Sequence, residues 1–340
     1  MIRFAIPSKG NFYDAALLFL ESCGLKVSRP NPRQYTATIR SLPEAEVLLH
    51  RPADIVQKVA GGDVDLGVTG LDYVQEYAGD EPNVIVAEEN LGFSRTDLIM
   101  AVPDAWVDVQ SWADIADLAA DFAKDGRQLR IATKYPNLVR AFCYNRGVNV
   151  FTLVDSQGAT EAAPALGYAD LIADITETGT TLRENRLKIV AGTTILTSQA
   201  CLIVGRRALQ TDPSKLMAVQ TVLELVESRR RARGYAQLIA NVPGASALGV
   251  AEQVTASLDL RGLQGPTVAP VYPQGGSAGE GWFAVSLIIA ADRILPAVAH
   301  LRSLGGAGVV VLPVQYAFGE QSESFQRLLG ALDPTPSFSP

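Results

Sequence analysis

The chain has 340 residues, of which 48% are hydrophobic and 19% charged, with a formal net charge of −7. That length is more than one ordinary core holds and predicts two or three domains; the composition excludes a disordered chain. The acidic balance argues against a nucleic-acid or anionic-membrane partner, although a local pocket on an acidic protein can still be positive.

Cys23, Cys143 and Cys201 are far apart in the sequence, with no CxxC spacing. A disulfide framework and a zinc site are therefore not expected. No apolar run approaches the ~18 residues needed to span a bilayer. The chain opens directly on strand-like sequence, so a soluble cytoplasmic protein is expected.

In chain order, residues 2–6 predict a strand, broken by Pro7-Ser-Lys-Gly10, and residues 12–23 a helix stopped by Gly24. Strands are expected at 47–50 and 64–68, with a helix at 54–60 between them. This alternation predicts α/β units around a mainly parallel sheet. Further strands are expected at 98–102, 130–133, 150–154, 169–172, 189–190 and 200–204. Helices are expected at 112–123, 136–146 and 213–226, the last ending in Arg229-Arg-Arg-Ala-Arg233, read as a solvated helix end. After Gly234 a strand (236–242), a helix (247–256), a Gly/Pro-rich loop (262–281), a strand (282–290), a helix (294–304) and a strand (308–313) suggest a separate βαββαβ-like unit. The segment 333–340 reads as a disordered tail.

Chemistry concentrates at predicted strand ends, where open α/β sheets bind ligands. Asp174-Ile-Thr-Glu-Thr-Gly-Thr-Thr-Leu182 follows a buried strand and opens a helix. Thr178, Gly179, Thr180 and Thr181 supply hydroxyls and backbone N–H groups for an anion. Asp174 and Glu177, just upstream, suit ribose hydroxyls or an outer-sphere Mg²⁺. An N-capped helix after a strand explains the same residues more plainly.

Lys9 follows the first strand, Arg51 the second, and Thr69 and Gly70 the third; cations there suit a pyrophosphate, while the glycine also suits close packing. Lys134, Asn137, Gly158, Thr160 and Glu161 are expected to share a rim, each with an ordinary cap or turn role as the alternative. His50 and His300 read as structural. No GxSxG, Walker A or strand-linked GxGxxG pattern occurs, which disfavours serine hydrolase, ordinary kinase and dehydrogenase readings.

With these motifs in view, the chain resembles the ATP phosphoribosyltransferases of histidine biosynthesis in their long form. The resemblance rests on Ile6-Pro-Ser-Lys-Gly10, Arg51-Pro-Ala-Asp-Ile55, Asp65-Leu-Gly-Val-Thr-Gly70, Leu91-Gly-Phe93, Arg130-Ile-Ala-Thr-Lys-Tyr-Pro-Asn-Leu138, Gly158-Ala-Thr-Glu-Ala-Ala-Pro164 and Ala169 through Leu182. Gly265-Pro-Thr-Val-Ala-Pro270 and Gly308-Val-Val-Val-Leu-Pro313 carry it into the C-terminal region.

The resemblance implies a catalytic core of two lobes like a type II periplasmic binding protein, followed by a ferredoxin-like α+β regulatory domain that binds histidine. The implied divisions are 1–102 with 191–228 for lobe I, 103–190 for lobe II, 229–320 for the regulatory domain and 321–340 for a tail. It also implies ATP and phosphoribosyl pyrophosphate (PRPP) as substrates, with Mg²⁺ riding on the pyrophosphate, and a cytoplasmic homo-hexamer built from dimers. Glu177, Thr178, Gly179, Thr180 and Thr181 would hold PRPP, the threonines and glycine its 5′-phosphate. Asp174, Glu161 and Lys9 would surround the reacting centre, and Arg51, Thr69, Gly70, Lys134 and Gly158 the ATP and its phosphates.

Two positions depart from the family pattern: Asp97 stands where an arginine is expected and Ala159 where a serine is expected. A catalytically inactive regulatory relative of the same fold remains an alternative, as does a two-lobe solute-binding protein.

Overall fold

A computed structural model describes residues 1–31, 33–156, 158–256, 263, 265–272 and 281–333. Residues 262, 264 and 273–280 of the expected loop and 334–340 of the expected tail lie outside these.

The chain begins with β1 (Ile2–Pro7), α1 (Gly10–Ser22), β2 (Val27–Ser28), β3 (Thr36–Ile39), β4 (Ala45–His50), α2 (Pro52–Gly61), β5 (Leu66–Gly70), α3 (Leu71–Ala78) and β6 (Val84–Glu88). It continues through β7 (Thr96–Pro103), α4 (Trp112–Lys124), β8 (Leu129–Thr133), α5 (Pro136–Asn145), β9 (Phe151–Asp155), β10 (Leu171–Thr176), α6 (Thr180–Glu184), β11 (Leu187–Ile189) and β12 (Leu196–Ser198). Then come β13 (Ala200–Gly205), α7 (Arg206–Thr211) and α8 (Pro213–Ala232).

The first sheet has the order β2-β3-β4-β1-β5-β13-β6. Only its centre is parallel: β1 pairs parallel with β4 and β5, while the flanking pairs run antiparallel. The expectation of a mainly parallel sheet is corrected here. The chain re-enters this sheet through β13 after forming the second one, and a returning strand reverses the direction of pairing.

The second sheet has the order β11-β7-β10-β8-β9, with β12 also on β7. Strand β7 lies wholly within it, paired with β10 from Asp97↔Thr176 to Ala101↔Ile172. The chain therefore leaves the first sheet before Thr96 and returns at Gln199. The expected boundaries at 102/103 and 190/191 cut through this ladder and are replaced by those points.

Apolar alternation explains the layers. Met100, Val102, Leu129, Ile131, Leu171 and Ala173 point to one face of the second sheet and pack with Ile115, Ala119, Val139 and Cys143 from α4 and α5. In the first sheet Ala5, Cys201 and Ile203 pack with Ile55, Val56 and Val59 of α2 and Val74 of α3.

The C-terminal region forms β14 (Tyr235–Pro243), α9 (Ala247–Thr255), β15 (Thr267–Pro270), β16 (Trp282–Ala290), α10 (Ile294–Ser303), β17 (Ala307–Pro313) and α11 (Glu323–Leu332). Its antiparallel sheet has the order β15-β16-β14-β17. That is the ferredoxin-like βαββαβ arrangement, with its own core of Leu238, Val242, Val250, Val254, Val285, Leu287, Ala297 and Leu301.

Two compact units result: Met1–Thr221 with the described residues from Arg327 on, and Val222–Gln326. Within the second, Arg231 pairs with Glu227 and Glu323 at 3.6 Å each, and Arg229 donates to the Gln315 carbonyl at 3.1 Å. The basic run is thus partly a tether rather than a solvated helix end. Glu227 also accepts from the Ser322 hydroxyl (2.6 Å) and from the backbone N–H groups of Glu323 and Ser324, capping α11. The expected tail from 321 onward therefore starts with a helix, whose Phe325, Leu328 and Leu332 are buried.

Candidate functional site

Two cavities meet in the cleft between the first two sheets. One, of about 500 Å³, is lined by the loop after β1 (Ser8–Phe12), Arg51 and Pro52 at the start of α2, Gly70, Asp72 and Tyr73 at the start of α3, and Ser94, Thr96, Ile175, Glu177 and Ala200. The other, of about 340 Å³, is lined by Glu161, Asp174 and residues 175–178 and 180–182. Ile175 and Glu177 belong to both linings.

The second cavity is built on a short turn. Strand β10 ends at Thr176, and the chain reverses through Gly179 at φ +71°, a conformation that favours glycine. The Gly179 N–H donates to Oγ1 of Thr176 at 2.9 Å, and the hydroxyls of Thr178 and Thr180 lie 2.9 Å apart. N–H groups in the first turn of α6 have no partner within the helix, and Thr178, Thr180 and Thr181 are exposed. Asp174 is held by Nζ of Lys134 at 3.4 Å. Sequence reasoning missed Arg183, whose guanidinium folds back to the Thr178 carbonyl and the Thr180 hydroxyl, both at 3.2 Å.

The first cavity carries Lys9 and Arg51 on its wall, both exposed. Gly70 is there because a side chain would not fit: a Cβ would lie 2.3 Å from Oδ1 of Asp72. Asp72 is 4% exposed. Its Oδ2 accepts from the Tyr135 hydroxyl at 2.5 Å and its Oδ1 from Ser198 Oγ at 2.7 Å, while its own N–H donates to Ser198 Oγ at 2.9 Å. Burial and the Asp72 charge hold the Tyr135 hydroxyl well above the ordinary tyrosine range, so it remains a donor. Burial, then the same carboxylate, pushes Tyr73 up to about 12.

One helical turn on, Glu76 reaches the N-terminus of α5. Its carboxylate accepts from the N–H groups of Asn137 (2.9 Å) and Leu138 (3.0 Å), and its carbonyl from the Asn137 amide. Burial raises the Glu76 carboxyl, and those two N–H groups oppose the shift.

Several sequence expectations change. Thr69 is fully buried, and its hydroxyl donates to the Pro52 carbonyl at 2.9 Å. It anchors α2 and lines neither cavity. Lys134 also lines neither, being turned toward Asp174. Thr160 is buried and accepts from Ser156 Oγ at 3.1 Å, and Asn137 is engaged by Glu76, so the expected rim reduces to Glu161. Gly158 is exposed beside Gln157, which is outside the described residues, and lines neither cavity. Ala159 sits at φ +49°. Asp97 accepts from the Thr197 hydroxyl at 2.6 Å, so this departure is absorbed by a cross-strand bond.

Among the described residues, no helix is long and apolar enough to cross a membrane.

Comparison with known proteins bears on these cavities. A family model described as "ATP phosphoribosyltransferase" matches residues 51–228, and one described as "HisG, C-terminal domain" matches 232–316. A relative from Arabidopsis thaliana named ATP phosphoribosyltransferase 2, chloroplastic, is 39% identical over 97% of this chain and 80% of its own. One from Nitrobacter winogradskyi, named ATP phosphoribosyltransferase, is 35% identical over 95% of this chain and 96% of its own. A solved ATP phosphoribosyl transferase (HisG:HisZ) complex from Thermotoga maritima contains a chain with a similar fold. That chain is 24% identical, with a TM-score of 0.52, over 67% of this chain and 98% of its own.

Proposed function

Because the chain belongs to the ATP phosphoribosyltransferase family of histidine biosynthesis, we propose that it joins ATP and PRPP to give N1-(5-phospho-β-D-ribosyl)-ATP and diphosphate, with histidine as feedback inhibitor. The observation that carries this reading is the pair of cavities sharing Ile175 and Glu177: two phosphorylated substrates would meet there, each with its own half of the cleft.

In this reading the exposed threonines and first-turn N–H groups of the 178–181 loop hold the 5′-phosphate of PRPP. Lys9 and Arg51 face the diphosphate and the nucleotide phosphates. Adenine N1 attacks the anomeric carbon with inversion and diphosphate leaves, so positive charge develops on the ribose. Asp174 and Glu161, on the wall of the smaller cavity, stabilise that charge. Neutral N1 needs no strong base; the chain's main contribution is alignment of two polyanions and exclusion of water.

Among the described residues no group of three or more His, Cys, Asp or Glu is placed to hold a metal ion, so Mg²⁺ would be carried in on the diphosphate, with Asp174, Glu161 and Glu177 on the same cavity wall as hard oxygen donors toward its water shell. When bound, that ion screens the leaving group's charge. Cytoplasmic residence and a homo-hexamer built from dimers complete the proposal; fractionation and light scattering test them.

The deciding experiment mixes the purified chain with ATP, PRPP and Mg²⁺ and follows product absorbance, with and without histidine. Turnover that histidine suppresses supports the reading. Absence of turnover supports the inactive regulatory relative instead.

A further inference from the structure

We propose that Asp72 selects the base of the nucleotide and that Tyr135 is the positioning residue that aims it. This deepens the assignment of the larger cavity to ATP and rests on it.

Asp72 is a nearly buried carboxylate, and Lys134, whose Nζ lies over the Tyr135 ring, pairs with Asp174 rather than with it. A buried charge without a cation is costly unless hydrogen bonds compensate. Here two hydroxyls do so, one on each oxygen, and both are spent as donors. Each carboxylate oxygen keeps a free lone pair, and the residue lines the cavity beside Phe12, Pro52, Tyr73 and Ile175.

An ionised carboxylate only accepts, so a ligand edge facing it must donate. An exocyclic amine on a planar base meets that need; a 6-oxo group at the same edge presents lone pairs to lone pairs. Sites that pair a buried polar group with a substrate donor discriminate far more steeply than apolar pockets do.

The geometry is held from three directions. Tyr135 is among the largest fully buried side chains, which fixes its hydroxyl in place. Gly70 leaves room for Oδ1, and Ser198 bridges the side chain and the backbone of Asp72. Tyr135 does not itself line the cavity and acts through Asp72.

The test measures KM for ATP and for PRPP, and the inhibition constant against ATP of ITP (the 6-oxo analogue, whose protonated N1 cannot serve as the nucleophile), in the full-length chain and in Tyr135→Phe, Ser198→Ala and Asp72→Asn, with melting temperatures in parallel. Equilibrium binding of ATP and ITP on the same proteins gives a readout independent of turnover. The expected result is that Tyr135→Phe and Ser198→Ala each raise the ATP KM about tenfold, the loss of one bond to a charged group. Their PRPP KM should stay within about twofold, and the preference for ATP over ITP should narrow. Asp72→Asn, whose amide can also donate, should shift preference further toward ITP.

An ATP-over-ITP preference that stays at the wild-type value in Tyr135→Phe and Ser198→Ala overturns the proposal, whatever the melting temperatures do; Ser198→Ala decides it should Tyr135→Phe not fold. A wild-type chain that neither binds nor turns over ATP removes the underlying assignment, a result distinct from an active enzyme with unmoved selectivity.

Discussion

The two halves of the cleft hold their polar groups in opposite ways. Around Asp72 the polar groups are buried and their hydrogen bonds are made before any ligand arrives. In the 178–181 loop the hydroxyls are exposed; those of Thr178 and Thr180 bond to each other, and that of Thr180 also accepts from Arg183. A pre-satisfied buried site suits discrimination between similar planar groups. An exposed turn of hydroxyls and N–H groups suits an anion that brings its own charge and reorganises them. The contrast predicts that mutations in the two halves separate in kinetics.

The largest effect should come from the exposed half. Thr178→Ala with Thr181→Ala should raise the PRPP KM on the order of 100-fold, two hydrogen bonds to a charged group, and leave the melting temperature unmoved. An unchanged PRPP KM would sink the phosphate assignment. Next, Gly70→Ala forces its Cβ into the Asp72 carboxylate. The ATP KM should rise about tenfold while that for PRPP moves little, as one displaced charged hydrogen bond implies; equal effects on both would erase the contrast between the halves.

Smaller, and purely structural, is Glu76→Ala. It leaves the N–H groups of Asn137 and Leu138 without their acceptor. At about 2 kcal/mol this should lower the melting temperature by roughly 5 °C in a calorimetric scan.

The smallest effect concerns Asp65, whose side chain is fully buried and paired with Arg3 (3.3 Å) and Lys215 (3.0 Å). Burial raises its carboxyl, but the Arg3 N–H and the Lys215 and Arg3 side chains outweigh it and hold the group below its ordinary value of 3.8. A depressed folded value adds stability above the unfolded value that is lost as pH falls through the folded one. The melting-temperature gap between the wild type and Asp65→Asn should be full at pH 7 and shrink below about pH 4. A gap that stays constant with pH contradicts this.

Much of the fold was legible in the sequence because apolar periodicity marks buried elements. Strand β16 and the βαββαβ order follow from it, as does the turn at Gly179. Strands β2 and β3 escaped because two to four residues carry too little periodicity. Helix α3 escaped for a more instructive reason. Asp72 and Glu76 occupy buried positions where the helical pattern calls for apolar residues. What justifies their burial lies 63 and 126 residues away for Asp72, at Tyr135 and Ser198, and 61 residues away for Glu76, at Asn137. Local sequence shows the exposed loop's chemistry and hides that of the buried group. Thr69 shows the converse error: a hydroxyl at a strand end looked available and is consumed by the Pro52 carbonyl.

The return of the last helix has a practical consequence. Residues from Arg327 on belong to the first unit, where the Ala331 carbonyl accepts from Arg206, the Leu332 carbonyl from Gln210 at 2.7 Å, and Arg327 lies 3.6 Å from Glu88. In chain order the ferredoxin-like unit is therefore an insertion, flanked on both sides by the unit that carries the cleft. A stop codon ahead of it would remove a catalytic-unit helix along with it. Isolating the contribution of the ferredoxin-like unit calls for excision with both flanks rejoined.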